Sequence, residues 1–191
     1  MEWQHVNVKL MLGDSSLDLA LLIPIFHGWI RDRVCDELLL DIADYRHVPA
    51  GPGVVLIGYE ADYSVDNTGG RLGVRYNRKA PLEGTNAARL AQAARAAAAA
   101  CQLLEADPSL EGKLRFGGRE IEIAINDRLF ARNDSATRQA AEPELRAFAA
   151  KVFPGGDVAV SYGDDPRGLF RTLLKAAHPV SAADLLARLQ S

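Results

Sequence analysis

The segment from Val54 to Tyr76 constrains the fold of this chain more than any other. Its first part, Val54 to Val65, is predicted to be one long strand. The residues from Asp66 to Gly70 tolerate the positive φ angles of a hairpin turn, and Arg71 to Tyr76 is predicted to return as the partner strand. The chain is therefore expected to build a sheet that is at least partly antiparallel.

Predicted strands and capped helices alternate through the rest of the chain. The strands are expected at Val6–Leu12, at Leu38–Asp44 as a strand buried on both faces, in a second hairpin over Lys113–Asn126 that turns at Gly117-Gly118, and at Asp157–Tyr162. The first helix is expected after a capping box at Ser15–Asp18, with a kink at Pro24 or a restart near Leu22. Further helices are expected from Asn86 to Glu105 behind a Thr85 cap, and through Val152 behind a cap at Asp134 or Ser135. The last two are expected from Asp165 to Ala177 and after Ser181.

This order of elements predicts an α+β fold in a single globular domain over residues 1–191. We expect a largely antiparallel or mixed sheet of about six to seven strands, with the helices packed mainly on one face. Val74–Arg78 and Ile123–Asp127 each lead through a short loop to a capped helix, which favours a duplicated strand-helix-strand-strand or hairpin-helix unit. Residues 166–191 are expected to form helices that dock on the core or serve as an oligomerisation appendage.

Composition argues against several functional classes. The 191 residues are 48% hydrophobic and 25% charged, as in ordinary globular proteins, and a formal charge of −3 argues against a nucleic-acid partner. The start of the chain has no basic leader, and the apolar run Leu19–Phe26 is too short to span a bilayer. Cys35 and Cys101 lie outside any metal-like spacing and are expected to be free thiols. These features favour a cytoplasmic protein without a membrane partner.

Carboxylates around one histidine form the first candidate site. Asp44 and His47 lie where a predicted strand ends, and Glu60 and Asp62 share one face of the next strand because side chains repeat every two residues. If these strands are adjacent, His47, Glu60 and Asp62 could bind Mn²⁺, Mg²⁺ or Fe²⁺, which accept one histidine together with carboxylates.

A structural role for the same carboxylates is the alternative interpretation. Glu60 and Asp62 would then form the solvated face of an antiparallel sheet and pair with Arg71 or Arg75 across the hairpin. The sequence favours this alternative because the spacing matches no specific ligand motif.

His47 is also a candidate acid-base residue. Tyr45 or Glu60 would be its neighbour in an acid-base pair. In this interpretation His47 and Glu60 are the catalytic residues of a hydrolase or lyase. His27, on the kinked first helix, is interpreted as a residue at the boundary of the core. The sequence contains neither a Gly-x-Ser-x-Gly elbow nor a dinucleotide fingerprint, so no cofactor is identified.

The polar and aromatic residues near the predicted hairpin form a third candidate, a ligand-binding surface. The cations of the hairpin could bind a small anion, although the glycine-rich loops here lead into strands and not into helices, as a phosphate cradle would. The residues assigned to ligand binding are Asp44, Tyr45, Tyr63, Arg71, Arg75, Asn77 and Arg78.

Three functional hypotheses follow from these patterns. The first is a module that binds a small molecule or a partner protein. The second is a metal-assisted or acid-base hydrolase or lyase that uses His47, Glu60 and Asp62. The third is a subunit of a structural assembly, and a homo-oligomer is a candidate form in each case.

Overall fold

The computed structural model describes residues 1–13 and 17–190, and within them the chain forms one sheet of 8 antiparallel strands with helices α1–α4. The elements are β1 (Val6–Leu12), α1 (Leu22–Asp32), β2 (Leu39–Tyr45), β3 (Gly53–Gly58), β4 (Ala61–Asp66), β5 (Gly73–Arg78), α2 (Asn86–Ala106), β6 (Phe116–Ile125), α3 (Ser135–Val152), β7 (Val158–Tyr162), β8 (Phe170–Ala176) and α4 (Ala182–Gln190). The strand order is β2-β3-β4-β5-β1-β6-β8-β7. The α+β class is confirmed. Of the two expected sheet types, largely antiparallel or mixed, the sheet is the antiparallel one, and the expected six to seven strands are corrected to 8.

The helices share one hydrophobic core with one face of the sheet. On β1, Val6, Val8 and Leu10 point into this core, because alternate residues of a strand share a face. The same cluster contains Ile121, Ile123 and Leu174 from neighbouring strands, and Phe26, Leu90, Leu145 and Leu185 from the helices. Burial of this apolar layer is the main stabilising contribution to such a fold.

Helix α2 covers the centre of the sheet, where it packs against β1, β5 and α4. The hydroxyl of Thr85 accepts a hydrogen bond from the amide of Ala88 at 3.1 Å, so Thr85 caps α2 as predicted. The predicted inward stripe, Leu90, Ala94, Ala97, Cys101 and Leu104, is buried throughout.

The start of α1 differs from the expected capping box. Ser15 and Ser16 lie outside the described residues, and the carboxylate of Asp18 accepts the amide of Ala20 at 2.9 Å to cap a short 3₁₀ turn. The α-helix then begins at Leu22, as the alternative of a restart predicted. Pro24 lies in the first turn of α1, where its missing amide breaks no intrahelical hydrogen bond.

The prediction of one long strand over Val54–Val65 is wrong, because the chain turns between Gly58 and Ala61. The fully buried residues change parity at this turn: Val54 and Leu56 precede it and Val65 follows it. A continuous strand would keep one parity on the core face. The segment therefore forms two strands, β3 and β4.

Three further elements also differ from expectation. The predicted helix Asp165–Ala177 is a loop followed by β8, in which burial alternates with period two. The predicted hairpin at Gly117-Gly118 is one continuous strand, β6. Strand β2 is not buried on both faces, because it is an edge strand that exposes half of Leu40.

The two halves of the sheet have related connections. In the first half, β1 is followed by α1 and pairs with β5, the last strand of that half. In the second half, β6 is followed by α3 and pairs with β8, the last strand of that half. The first strands of the two halves, β1 and β6, pair with each other at the centre.

The C-terminal helix α4 docks on α2 and α3 and buries Leu185 and Leu189, so it is part of the core. None of the helices in residues 1–13 and 17–190 is long and apolar enough to cross a bilayer.

The face of the sheet opposite the helices carries charged side chains that pair across strands. Lys9 aligns with Arg75 on β5 and with Glu122 on β6, and its ammonium lies 2.5 Å from a carboxylate oxygen of Asp66. Lys9 is 2% exposed and Asp66 is 1% exposed. Asp66 also accepts from the amide and the hydroxyl of Thr68, at 3.0 and 2.9 Å.

Burial and the ion pair act in opposite directions on both partners. Burial lowers the pKa of Lys9, and the charge of Asp66 offsets only part of that effect. Burial alone would raise the pKa of Asp66, but Lys9, Arg75 and Thr68 together hold it below its ordinary value.

The substitution Lys9→Met is expected to lower the free energy of unfolding by about 3 kcal/mol, because it leaves the buried Asp66 carboxylate without its closest cation. Urea denaturation followed by circular dichroism measures this change. Lys113→Met is the control, since Lys113 pairs with Glu111 on the surface and is expected to change stability by less than about 0.5 kcal/mol. Equal effects of the two substitutions would show that the buried pair does not stabilise the fold.

Candidate functional site

A pocket of about 550 Å³ opens on the helical side of the molecule, bounded by α1, α2, α4, β4 and the segment from Val34 to Glu37. We call it the Glu37 pocket. Its polar lining includes Asp36, Glu37, Tyr63, Gln92 and Arg95, and its apolar lining includes Trp29, Ala96, Ala99, Ala100, Leu103 and Leu186.

The end of α1 directs the chain toward this pocket. Arg33 adopts a left-handed conformation at the C-cap, and the amide of Val34 donates to the carbonyl of Trp29 at 3.4 Å. The chain leaves the helix there and passes through Glu37 before β2 begins. The side chain of Glu37 is 12% exposed.

Two buried tyrosines hold the carboxylate of Glu37. Tyr63 and Tyr76 are cross-strand neighbours on β4 and β5, with ring centroids 5.2 Å apart in an edge-to-face arrangement. The hydroxyl of Tyr63 donates to Oε2 of Glu37, and the hydroxyl of Tyr76 donates to Oε1 at 2.6 Å. Each carboxylate oxygen thus receives one phenolic hydrogen bond.

Gln92 extends this network onto α2. Its amide nitrogen Nε2 donates to the hydroxyl oxygen of Tyr76 at 3.0 Å. The other end of the same amide, Oε1, is buried and has no hydrogen-bond partner in the described residues. Gln92, which lines the pocket, therefore carries an acceptor that no described residue satisfies.

Arg78 lies behind Glu37 but is engaged mainly by other groups. Its Nη1 is 3.9 Å from Oε1 of Glu37 and 3.1 Å from a carboxylate oxygen of Glu60. Its Nε and Nη2 donate to the carbonyl oxygens of Ala80 and Pro81, at 2.9 and 3.3 Å. The ion pair with Glu60 is thus the shorter of the two.

Burial keeps both tyrosines protonated. It raises the pKa of Tyr63 and of Tyr76 far above the ordinary phenolic value, and the hydrogen bond to Glu37 and its negative charge raise both further. Burial also raises the pKa of the Cys35 thiol, and a hydrogen bond with the backbone of Glu37 offsets only part of that effect. Cys35 and Cys101 are both free cysteines, as the sequence predicted.

The structure does not bring His47 together with Glu60 and Asp62. His47 follows β2 at one end of β3, whereas Glu60 lies in the turn at the other end. A strand of six residues such as β3 separates its ends by roughly 20 Å. Within residues 1–13 and 17–190, no group of at least three His, Cys, Asp or Glu side chains is arranged to hold a metal ion.

The carboxylates near this hairpin are instead paired with cations. Glu60 pairs with Arg78, and Asp62 lies 2.7 Å from the ammonium of Lys79. The expected pairing across the hairpin thus occurs, but with Arg78 and Lys79 in place of Arg71 and Arg75.

At the far end of β2, Asp44 forms an ion pair with Arg46. The hydrogen bonds that Asp44 accepts from the side chain and the amide of Arg46 lower its pKa to about 2. The rings of Tyr45 and His47 lie 6.4 Å apart in this exposed turn.

The residues assigned to ligand binding lie in three separate places, of which the far end of β2, with Asp44 and Tyr45, is one. Tyr63 lines the Glu37 pocket and Arg78 lies 3.9 Å behind its carboxylate. Arg75 and Asn77 have the opposite parity on β5 and lie on the charged face of the sheet. Arg71 pairs with Glu120 on β6, also away from the pocket.

Sequence reasoning missed Glu37 and Gln92. A signal for them was present, because Tyr63 shares the parity of Val65, and Tyr76 that of Val74. Both phenols were therefore due to face the core, where a buried hydroxyl needs a hydrogen-bond partner. That signal shows the need for a partner but does not identify it.

Tyr63→Phe is expected to weaken the alkaline dependence of stability. An unfolded tyrosine ionises near pH 10, and the raised pKa of the folded state means that stability is complete below about pH 10 and falls as the pH rises. Each tyrosine contributes up to about 1.4 kcal/mol per pH unit to that loss. Urea unfolding from about pH 8 to about pH 11 measures the slope.

The control for this experiment is Tyr59→Phe, since the Tyr59 side chain is 71% exposed and should leave the slope unchanged. If both variants follow the wild-type slope, the folded and unfolded states ionise Tyr63 alike and its hydrogen bond to Glu37 has no energetic role.

A scan against protein-family models gives no match for this chain, and searches of curated proteins and of solved structures likewise give no similar protein.

Proposed function

We propose that this protein binds a small amphipathic organic molecule in the Glu37 pocket. The observation that carries the proposal is one recess that combines an apolar wall with a polar end whose hydrogen bonds are incomplete. A volume of about 550 Å³ lies within the range of about 300–1,000 Å³ for small-molecule sites.

The apolar wall supports a ligand with a hydrophobic body. Ala96, Ala99 and Ala100 give α2 a shallow surface here, and Leu103 and Leu186 bound it from α2 and α4. Leu103 is exposed, so the pocket leaves apolar surface in contact with water. A ligand that covers this surface would gain about 25 cal/mol for each Å² removed from water.

The polar end supports orientation of that ligand. Glu37 is held from two sides by Tyr63 and Tyr76, so its position is fixed before a ligand arrives. Such a preorganised carboxylate favours binding in one direction, with the polar group of the ligand inward. Both phenols donate to the carboxylate, which supports a recognition role for Glu37 over proton transfer.

Binding of 2-phenylethanol, a neutral amphipathic probe, is expected to shift the indole N–H resonance of Trp29, which lines the pocket. Trp3, buried at 1% exposure outside the pocket lining, is an internal control whose resonance should stay in place. Titration of ¹⁵N-labelled protein by NMR measures both signals.

Ala99→Trp fills the pocket from α2 and is expected to abolish the Trp29 shift, whereas Ala87→Trp, at an exposed position of the same helix, should preserve it. Shifts scattered over the surface, or an undiminished Trp29 shift in Ala99→Trp, would contradict binding in this pocket.

We also propose that the edge strand β2 serves as an assembly contact. It has a strand neighbour on one side only, and it presents Leu40 at 50% exposure beside the exposed Leu38. An edge with free backbone groups and apolar side chains favours pairing with another strand, and a symmetric pair of copies is the commonest arrangement.

Sedimentation velocity of the wild-type chain is expected to show a dimer that Leu40→Glu converts to a monomer, because a charge on the edge would face the partner strand. Leu129→Glu is the matched control, since Leu129 is exposed far along the chain from β2. A monomeric wild type at its highest soluble concentration would contradict the assembly role.

A further inference from the structure

We infer that the ligand of the Glu37 pocket carries a primary organic ammonium group, which binds beside the Glu37 carboxylate and the amide oxygen of Gln92. This inference rests on the proposed binding function and names the chemistry of the group that is recognised. Its basis is the hydrogen-bond inventory at the polar end of the pocket.

The orientation of the Gln92 amide follows from the chemistry of Tyr76. A phenolic hydroxyl has a single proton, and Tyr76 uses it to donate to Glu37 at 2.6 Å. Its oxygen can therefore only accept from Gln92, which requires the NH₂ end of the amide to face Tyr76. The amide oxygen Oε1 then lies at the other end, buried and without a partner among the described residues.

Glu37 also keeps capacity to accept hydrogen bonds. An ionised carboxylate has about four acceptor positions, and the two tyrosines occupy one on each oxygen. Arg78, at 3.9 Å, is beyond hydrogen-bond distance. The unused hydrogen-bonding capacity of Glu37 and of the Gln92 amide oxygen is therefore acceptor capacity, which a hydrogen-bond donor would complete.

Charge favours a cationic donor over a neutral one. Glu37 and Asp36 line the pocket with negative charge, and the cation Arg78 is shared with Glu60 at 3.1 Å. Arg95 adds a positive charge to the lining, where its Nη1 donates to the carbonyl of Leu189 at 3.3 Å. An ammonium adds a Coulomb attraction to the Glu37 carboxylate that a neutral donor lacks, and this attraction is stronger in a partly buried site than in bulk water.

Aromatic surface near the carboxylate supports the same ligand class. Trp29 and Tyr63 both line the pocket with Glu37. Cations are attracted to the faces of aromatic rings, and aromatic side chains recur around bound ammonium ligands. A primary ammonium has three N–H donors, enough to reach both Glu37 and Gln92.

Three probes of matched size test the inference: 2-phenylethylammonium, the neutral 2-phenylethanol and the anionic phenylacetate. We expect the ammonium to bind at least roughly tenfold more tightly than the alcohol, the advantage of a charged hydrogen bond in a partly buried site. Phenylacetate is expected to bind more weakly than the alcohol. The Trp29 indole resonance reports each affinity.

Glu37→Gln is expected to remove the preference for the ammonium while leaving the affinity for 2-phenylethanol within about twofold, since the apolar wall is unchanged. Glu111→Gln is the control, because Glu111 is an exposed carboxylate outside the lining of the pocket, and it should preserve the preference. The orientation is tested on the wild type, even if Glu37→Gln fails to fold. Transferred nuclear Overhauser effects are expected between the methylene next to the nitrogen of 2-phenylethylammonium and the ring protons of Tyr63.

The possible results separate the two proposals. Equal binding of the ammonium and the alcohol, or tighter binding of phenylacetate, would overturn the ammonium inference while leaving a binding pocket. Absence of binding by all three probes would overturn both. A preference for the ammonium that survives in Glu37→Gln would overturn the role of the carboxylate.

Discussion

Strand β1 must be buried on both of its faces, although helices cover only one of them, and the architecture depends on how the chain meets this constraint. On the helical face, Val6, Val8 and Leu10 pack against α2 and its neighbours. On the other face, Lys9 is buried beneath side chains of β5 and β6 and needs a countercharge. Asp66, at the end of β4, supplies it. The ion pair joins β1 to a strand two positions away in the sheet.

A second buried charge follows the same rule with a different result. Glu37 receives two phenolic hydrogen bonds, but its closest cation is shared with Glu60. Lys9 and Asp66 satisfy each other inside the sheet, whereas Glu37 and the Gln92 oxygen are left incomplete at the end of a recess. The difference is physically important, because an incomplete buried polar network is costly unless something outside the chain completes it.

Elements with one strong local pattern could be predicted from the sequence, and those set by tertiary contacts could not. The Thr85 cap and the inward stripe of α2 follow from local spacing, and both are confirmed. Phe170–Ala176 has an apolar content that suits helix or strand, and only its pairing with β6 makes it β8. The turn after Gly58 was detectable from the parity of the buried residues, but the exposed Tyr59 and Glu60 concealed it in a run of strand-forming residues.

The candidate site was harder to predict than the fold because its members are distant in sequence. The sequence predicted a site that contains His47 and Glu60, yet a six-residue strand separates the two residues. Glu37 has no conspicuous neighbours in sequence and acquires its role only when β4 and β5 place two tyrosines beside it. Tyr63, which the sequence assigned to ligand binding, lines the Glu37 pocket, because it combines strand parity with a polar tip, which is a local property.

The central pairing of β1 with β6 has a consequence for how the chain can be divided. The elements β1 to α2 end at Ala106 and the elements β6 to α4 begin at Phe116, so a single cleavage in the intervening loop would yield two pieces that each retain a contiguous set of neighbouring strands. Each piece would expose one strand that had lost its neighbour, and the other piece would supply a partner strand of matching register. The pairing of β1 with β6 thus makes this polypeptide a candidate for reconstitution from two separately produced fragments.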